Sequence, residues 1–456
     1  MDYLLDTSEI DAYNSVRPIE NTSSVCHAPS SSMYIGVGGM ITSCCVNRTY
    51  LLGRYPLQSL EESWFGQKRD TLKKCMKQGD LSKGCQVCYD AIKGKNYKGL
   101  TAKVYDKFNQ SDLHYPKKID FELSNKCNLE CTICRGERSS SIRKNREKLP
   151  PIKSPYDDEF LKQLDPFLPH LEDCHFLGGE PFLIPIYLDI WERMSQVNDH
   201  VKISIQTNAT ILTDRVKRII ETMNFDISVS IDSVDAELFP KIRVNGRFDV
   251  VLKNLEYFND YCRRKGTQLG ISYTPILTNW HELPDAVRFC NERDIILFFN
   301  TLSHPRHLAL KELSPGKLTE ILGYLREVQL PSSTELERKN LEVYRDFANL
   351  VEYWRDEATK RSDAKPVRKY QTVDAFFEDF YHYLTSQEGN EDDLYSNIRS
   401  KIESILTIAE DHNNYAMAEE FILALDFETL VRYVPESSLE ELIISFESGV
   451  GQLRTN

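Results

Sequence analysis

Between Ile119 and Phe299, short β-rich apolar runs alternate with amphipathic stretches. The runs are Ile119–Leu123, Cys174–Leu177, Val201–Gln206, Ile227–Ile231, Leu269–Tyr273 and Ile295–Phe299. Apolar residues recur at helical spacing in the segments between them: Glu159–Leu168, Ile184–Met194, Asp214–Met223, Phe248–Arg263 and Leu283–Glu292. The first of these carries helix-start chemistry, with Ser154 as N-cap, Pro155 at the first turn and Asp157 and Asp158 facing the positive end. Strand and helix in strict alternation predict an α/β fold, a parallel sheet with outer helices. Six units are too few for a closed eight-fold barrel, so an open, partial (βα)6 barrel is expected.

The flanks read differently. Residues 1–25 look like a polar leader. Gly38-Gly39 between Met33–Val37 and Met40–Thr42 predicts a hairpin with a two-residue turn, since both glycines accept positive φ. Leu60, Trp64, Leu72 and Cys75/Met76 predict a helix over 59–78, with Gly79 and Gly84 bracketing its exit. Residues 313–360 and 371–449 read as helical, with a joint around Pro366. Within the second stretch, Phe376, Phe377, Phe380, Tyr381 and Leu384 form a stripe of the kind that builds a core.

Composition narrows the class. Apolar content of 41% and charged content of 27% are those of a globular chain. No apolar run suffices to span a bilayer, and the acidic N-terminus lacks a basic-then-apolar signal pattern. A cytoplasmic protein without a membrane partner is expected. The net charge of −13 is concentrated in residues 371–456, with 18 acidic and 4 basic residues, so the remainder is nearly neutral. Nucleic-acid binding would call for the opposite bias. Twelve cysteines in such a chain point to metal rather than disulfides. Cys26 with Cys44/Cys45, Cys85 with Cys88, and Cys127, Cys131 and Cys134 are grouped; Cys75, Cys174, Cys262 and Cys290 are scattered, as small core residues are.

Cys127, Cys131 and Cys134 form a C-x3-C-x2-C loop directly after the strand Ile119–Leu123. Soft thiolates at this spacing suit an iron–sulfur cluster or zinc. Three thiolates on a cubane leave one iron open to a small molecule, whereas a structural zinc site wants four ligands closed around it. Gly178-Gly179-Glu180-Pro181 ends the second strand, and loops at strand C-termini build the active sites of parallel sheets.

Together with Gln206-Thr207-Asn208 and the run from Ser228 to Asp232, these motifs resemble the radical S-adenosylmethionine (SAM) superfamily over about residues 26–300. The resemblance implies a 4Fe–4S cluster on Cys127, Cys131 and Cys134, with SAM chelating the open iron. Reduction would cleave SAM to methionine and a 5′-deoxyadenosyl radical, which abstracts hydrogen from the substrate. It further implies that Gly178, Gly179 and Glu180 receive the methionine amino group. Ser230 and Arg243 become candidates for its carboxylate, and Asn208 and Asp232 for the ribose. Ile133 stands where many members carry an aromatic residue before the third cysteine.

A second possible four-thiolate site is made by Cys26, Cys44, Cys85 and Cys88, for which spacing alone leaves zinc and Fe–S open. The segment Gly53–Trp64 followed by Cys85-x2-Cys88-Tyr89 resembles the SPASM/twitch auxiliary-cluster module. Here it precedes the barrel, as in twitch domain-containing radical SAM proteins. That similarity implies a second 4Fe–4S cluster and leaves Cys44 against Cys45 open as ligand. Arg135, Arg138, Arg143, Lys144, Arg146 and Lys148 crowd the stretch after the catalytic cysteines, either as a solvated loop or as a clamp for an anionic substrate.

The organisation expected is a leader (1–25), a small Cys-rich hairpin/helix module (26–110), a radical SAM partial barrel (111–312), a helical extension (313–365) and an acidic helical tail (366–456). The function expected is an enzyme acting on a peptide or small metabolite, with flavodoxin or ferredoxin as reductant. The alternative is a catalytically inactive binding protein stabilised by zinc or Fe–S.

Overall fold

The computed structural model describes residues 3–19, 24–108, 114–363, 370–385, 391–411, 414–423, 425, 427, 430–431, 434–435, 439 and 442–443. The joint expected at Pro366 lies outside the described residues. The chain forms two units, Met1–Ile231 with Phe239–Ile271, and Asp232–Leu238 with Ser272–Asn456.

The strands are β1 (Ser32–Ile35), β2 (Met40–Thr42), β3 (Gly53–Arg54), β4 (Lys118–Phe121), β5 (Asp173–Phe176), β6 (Lys202–Thr207), β7 (Asn224–Ser230), β8 (Leu269–Tyr273) and β9 (Ile296–Phe299). In the first unit the order is β3-β2-β1-β4-β5-β6-β7, followed by the first residues of β8. Strands β1, β4, β5, β6 and β7 pair in parallel. All six predicted barrel strands are present, and the sheet is open, as the pattern requires.

The hairpin does more than expected: β1 pairs in parallel with β4, Tyr34 opposite Asp120, so the sheet continues into the Cys-rich region. Its turn spans three residues rather than two, because Gly36 N donates to Met40 O (2.8 Å). Gly38 and Gly39 both sit at positive φ (73° and 84°), and a Cβ on Gly39 would come within 1.8 Å of Tyr55 O.

Strand β4 shows why the sheet has two unlike faces. Ile119 and Phe121 are buried against the outer helices, Phe121 stacking on Phe176 (4.6 Å) and Phe176 meeting Trp191 (5.0 Å). Lys118, Asp120 and Glu122 alternate with them and point to the inner face.

The leader is folded in its described part, and two local expectations are corrected. Helix Thr7–Asn14 is closed by an Asp6/Glu9 capping box, Tyr13 is fully buried, and Arg17 grips Asp106 through Nε (3.0 Å) and Nη2 (2.5 Å). The helix expected over 59–78 breaks at Phe65-Gly66 into Leu60–Trp64 and Gln67–Gln78, each with its own N-cap. The helix expected over Glu159–Leu168 is Asp158–Leu164, capped by Asp157 and not Ser154; Asp157 also accepts the Tyr55 hydroxyl (2.7 Å), which fixes it outside the helix.

In the second unit, Asn300 N donates to Tyr273 O (2.8 Å), joining the end of β8 to the end of β9. Asn340, on the long helix Glu335–Asp363, accepts from Leu297 N (2.9 Å) and donates to Ile295 O (3.0 Å), which ties that helix to β9. The tail helices Val373–Thr385, Glu391–Asp411 and Tyr415–Ile422 build a core of their own. Phe376, Phe377, Phe380 and Leu384 lie in it, while Tyr381 sits at its rim, 38% exposed. Among the described residues no helix is long and apolar enough to cross a membrane.

Candidate active site

The cysteine loop leaves β4 and is pinned from three directions. Ser140 Oγ donates to Cys127 O (3.1 Å) and accepts from Cys127 N (3.1 Å), and Ser141 Oγ donates to the same carbonyl (2.8 Å). Glu130 N donates to Val244 O (3.0 Å) and Thr132 N to Ile242 O (2.8 Å), which docks the loop on the segment carrying Arg243. The third anchor is the glycine pair. Gly179 N donates to Ser124 O (3.1 Å) and Glu180 N to Lys126 O (2.8 Å). A Cβ on Gly178 would fall 2.3 Å from Ser124 O, and one on Gly179 2.2 Å from Lys126 O. Gly178 also stands at φ 113°, which a side chain disfavours. Glycine is therefore required for this turn to press against the root of the cysteine loop.

Two polar side chains reach the thiols themselves. Asn208 Nδ2 lies 3.9 Å from Cys127 Sγ, and Arg243 Nη1 lies 3.9 Å from Cys131 Sγ. Burial pushes the Cys127 and Cys134 thiols up, opposed by backbone N–H donors and by the Arg243 charge. Asn208 is oriented by Asn128 Oδ1 (3.1 Å) and by Thr210, whose N and Oγ1 both donate to its Oδ1 (2.9 and 2.6 Å).

Glu180 is fully buried and its carboxylate is occupied, accepting from Phe182 N (3.2 Å), Thr207 Oγ1 (2.7 Å) and Asn208 N (2.7 Å). Burial outweighs these donors and raises its pKa to about 7. Ser230 accepts from Gln206 Nε2 (3.0 Å). Asp232 belongs to the second unit, is fully buried, and accepts Thr274 N at 2.8 Å. Gly178, Gly179, Glu180, Asn208 and Arg243 thus assemble around the cysteine loop, while the Asp232 carboxylate is engaged with Thr274.

A polar inner face escaped the sequence reading. Glu122 is buried, takes the Tyr34 hydroxyl, and pairs with Arg48 (2.9 Å) and Arg138 (3.4 Å). Lys118 bridges Asp120 (2.8 Å) and Asp173 (3.0 Å), and His175, whose pKa burial lowers, lies 4.0 Å from Asp120. The strict alternation Lys118-Ile119-Asp120-Phe121-Glu122 was the available signal, since a parallel strand covered on both faces reads as a continuous apolar run. The basic stretch is only partly solvated. Arg138 is committed to Glu122, Arg143 Nε donates to Pro150 O, and Arg146 Nη1 donates to Glu130 O and Cys131 O (3.4 and 3.3 Å).

The other thiol group also converges. Cys26, Cys44, Cys85 and Cys88 line one cavity with Tyr105, and Cys45 is not among its lining residues. Cys26 Sγ accepts Ala28 N, Cys44 Sγ accepts Asn47 N, and Cys85 Sγ accepts Asn47 Nδ2, each at 3.4 Å. Burial raises the Cys44 thiol to about 11 and the Cys85 thiol to about 12. All twelve cysteines are free. Among the described residues no three His, Cys, Asp or Glu side chains meet closely enough to ligate one ion. A cubane takes each thiolate on a different iron, so its ligands stand further apart than those of a single ion. Four soft donors on one cavity, three of them already receiving N–H bonds, fit such a group.

Residues 121–290 match the family model described as Radical SAM superfamily. This segment is a radical SAM domain. Among curated proteins, the chain is 25% identical over 198 residues to a GTP 3',8-cyclase of Clostridium perfringens, covering 41% of this chain and 56% of that protein. It is 26% identical over 226 residues to an AdoMet-dependent heme synthase of Methanosarcina barkeri, covering 48% and 61%. The chain therefore spans little more than half the length of these relatives. Among solved structures, Streptococcus suis SuiB bound to precursor peptide SuiA aligns with 57% of this chain and 56% of its own, at 17% identity and a TM-score of 0.33. Native anSMEcpe with bound AdoMet aligns with 45% and 57%, at 19% identity and a TM-score of 0.34.

Proposed function

We propose that this chain is a radical SAM enzyme that uses Cys127, Cys131 and Cys134 to hold a 4Fe–4S cluster and abstracts hydrogen from a peptide or small-metabolite substrate. The observation that carries the reading is the Gly178–Gly179 turn pressed on the root of the cysteine loop while Asn208 and Arg243 reach two of its thiols. When bound, cluster and SAM supply a 5′-deoxyadenosyl radical from a single electron delivered by a reductant such as flavodoxin or ferredoxin.

The chain's own residues bind and orient. Arg243 brings a guanidinium suited to the SAM carboxylate, with Ser230 as a second donor. The turn Gly178–Glu180 presents backbone to the amino group, and Glu180 fixes Asn208 by its backbone N–H for the ribose side. Asp232 remains the second ribose candidate. The inner face, with Tyr34, Asp120, Glu122 and His175, faces the substrate. Cys26, Cys44, Cys85 and Cys88 hold a second, auxiliary 4Fe–4S cluster in the 26–110 module.

The test is reductive SAM cleavage after anaerobic reconstitution. Replacing Cys127, Cys131 and Cys134 together by Ala should abolish 5′-deoxyadenosine formation; undiminished formation would refute the assignment.

A further inference from the structure

Asn47 is 1% exposed and touches two of the four thiols around the auxiliary cavity. Its backbone N donates to Cys44 Sγ and its side-chain Nδ2 to Cys85 Sγ, both at 3.4 Å. The orientation of the amide is fixed by its other partners: Nδ2 also donates to Lys83 O (2.8 Å), and Oδ1 accepts Tyr50 N (3.1 Å). A flipped amide would place its oxygen against the Lys83 carbonyl. The opposing loop is shaped to admit it. Gly84, the residue before Cys85, has φ 78°, and a Cβ there would lie 2.1 Å from Asn47 Oδ1.

We infer that Asn47 is a positioning residue for the auxiliary cluster, presetting Cys44 and Cys85 and raising the cluster's reduction potential through its two N–H···S bonds. The inference rests on the reading of Cys26, Cys44, Cys85 and Cys88 as cluster ligands. Each added electron increases negative charge on the thiolate sulfurs, so a donor aimed at sulfur stabilises the reduced form more than the oxidised form. The same bonds hold two thiols from segments about 40 residues apart in sequence facing one cavity before any metal arrives, which lowers the ordering cost of loading.

The experiment uses the full chain, reconstituted anaerobically, with redox titration followed by EPR. N47D keeps the size and the acceptor for Tyr50 N but replaces the side-chain donor by a carboxylate. Its auxiliary midpoint should shift to lower potential, with the catalytic midpoint unchanged. N47Q, which retains an amide donor, should lie between N47D and wild type. An N47D protein that melts like wild type without metal yet fails to retain the second cluster also supports the inference, because Asn47 would then be needed for loading and not for folding. An unchanged auxiliary midpoint, or loss of the cluster together with a collapse of the metal-free melting temperature, overturns it. If wild type itself takes up about four irons instead of about eight, the auxiliary-cluster reading fails first, independently of Asn47.

Discussion

Arg48, four residues beyond Cys44, reaches across to Glu122 at the end of β4, with 2.9 Å between Nη2 and Oε2. The auxiliary cavity and the inner face of the sheet are therefore joined by one short loop: Asn47 holds the thiols and Arg48 holds the strand that leads into Cys127. Glu122 is almost fully buried, so removing a guanidinium leaves its charge under-compensated. R48M should cost about 1–3 kcal/mol, less than the loss of a sole partner because Arg138 and Tyr34 remain. R48M/E122Q should recover much of that loss. Chemical denaturation of the four proteins of this cycle measures the coupling, and strictly additive losses would mean that the contact is idle.

Gly179→Ala places a methyl group against the backbone carbonyl of Lys126, which has no flexible end to move aside. The cysteine loop must shift. We expect normal secondary structure by circular dichroism and at least a tenfold loss of SAM cleavage. An active G179A protein would show that the loop tolerates displacement.

Glu180 gives a pH signature. Its folded pKa, about 7, lies above the ordinary 4.5. Its contribution to stability is thus complete below about pH 4.5 and is lost as pH rises through 7, by about 3 kcal/mol for the metal-free protein. Urea midpoints should fall between pH 5 and 8 more steeply for wild type than for E180Q. Parallel pH profiles would remove the carboxyl as their source.

The choice between the adjacent thiols is testable as well. Cys44 lines the auxiliary cavity and Cys45 does not, its carbonyl instead accepting Arg48 Nε at 2.9 Å. C44S should lose the auxiliary iron, and C45S should retain it. Metal analysis of both, with the catalytic cluster as internal standard, decides; retention by C44S alone would reverse the assignment.

How much of this is legible in the sequence depends on whether the cause is local. The six barrel strands carry their own β-rich runs and turn signals, and the cysteine spacing and Gly178-Gly179 are contiguous motifs. The pairing of β1 with β4 joins residues more than 80 positions apart, and no pattern within either strand names its neighbour. The break at Gly66 is hidden because apolar periodicity continues across it, although the paired caps Ser59 and Gly66 are in view. Asp157 displaces Ser154 as the helix cap because Tyr55, a hundred residues earlier, claims its carboxylate. The inner face is obscured for another reason. The apolar residues of β4 satisfy a strand pattern by themselves, yet the charges between them mark the face turned to the interior. Residues that act through distant partners, such as Asn47 and Arg48, leave no signal that spacing can find.

Arg17 and Asp106 finally bear on how this protein can be dissected. Their side chains are 0% and 1% exposed, and the bidentate pair ties the first helical segment to the stretch Thr101–Phe108 that flanks the auxiliary cavity. A recombinant fragment started at Cys26, where the sequence suggests a clean edge, would take the guanidinium from a carboxylate that is buried in the intact chain. Such a loss is worth about 3–5 kcal/mol, a large part of what holds a domain together. Trimming should begin no later than the residues before Asp6, and a fragment that must lack the first helix should carry D106N or a neutral apolar replacement to be soluble enough to study.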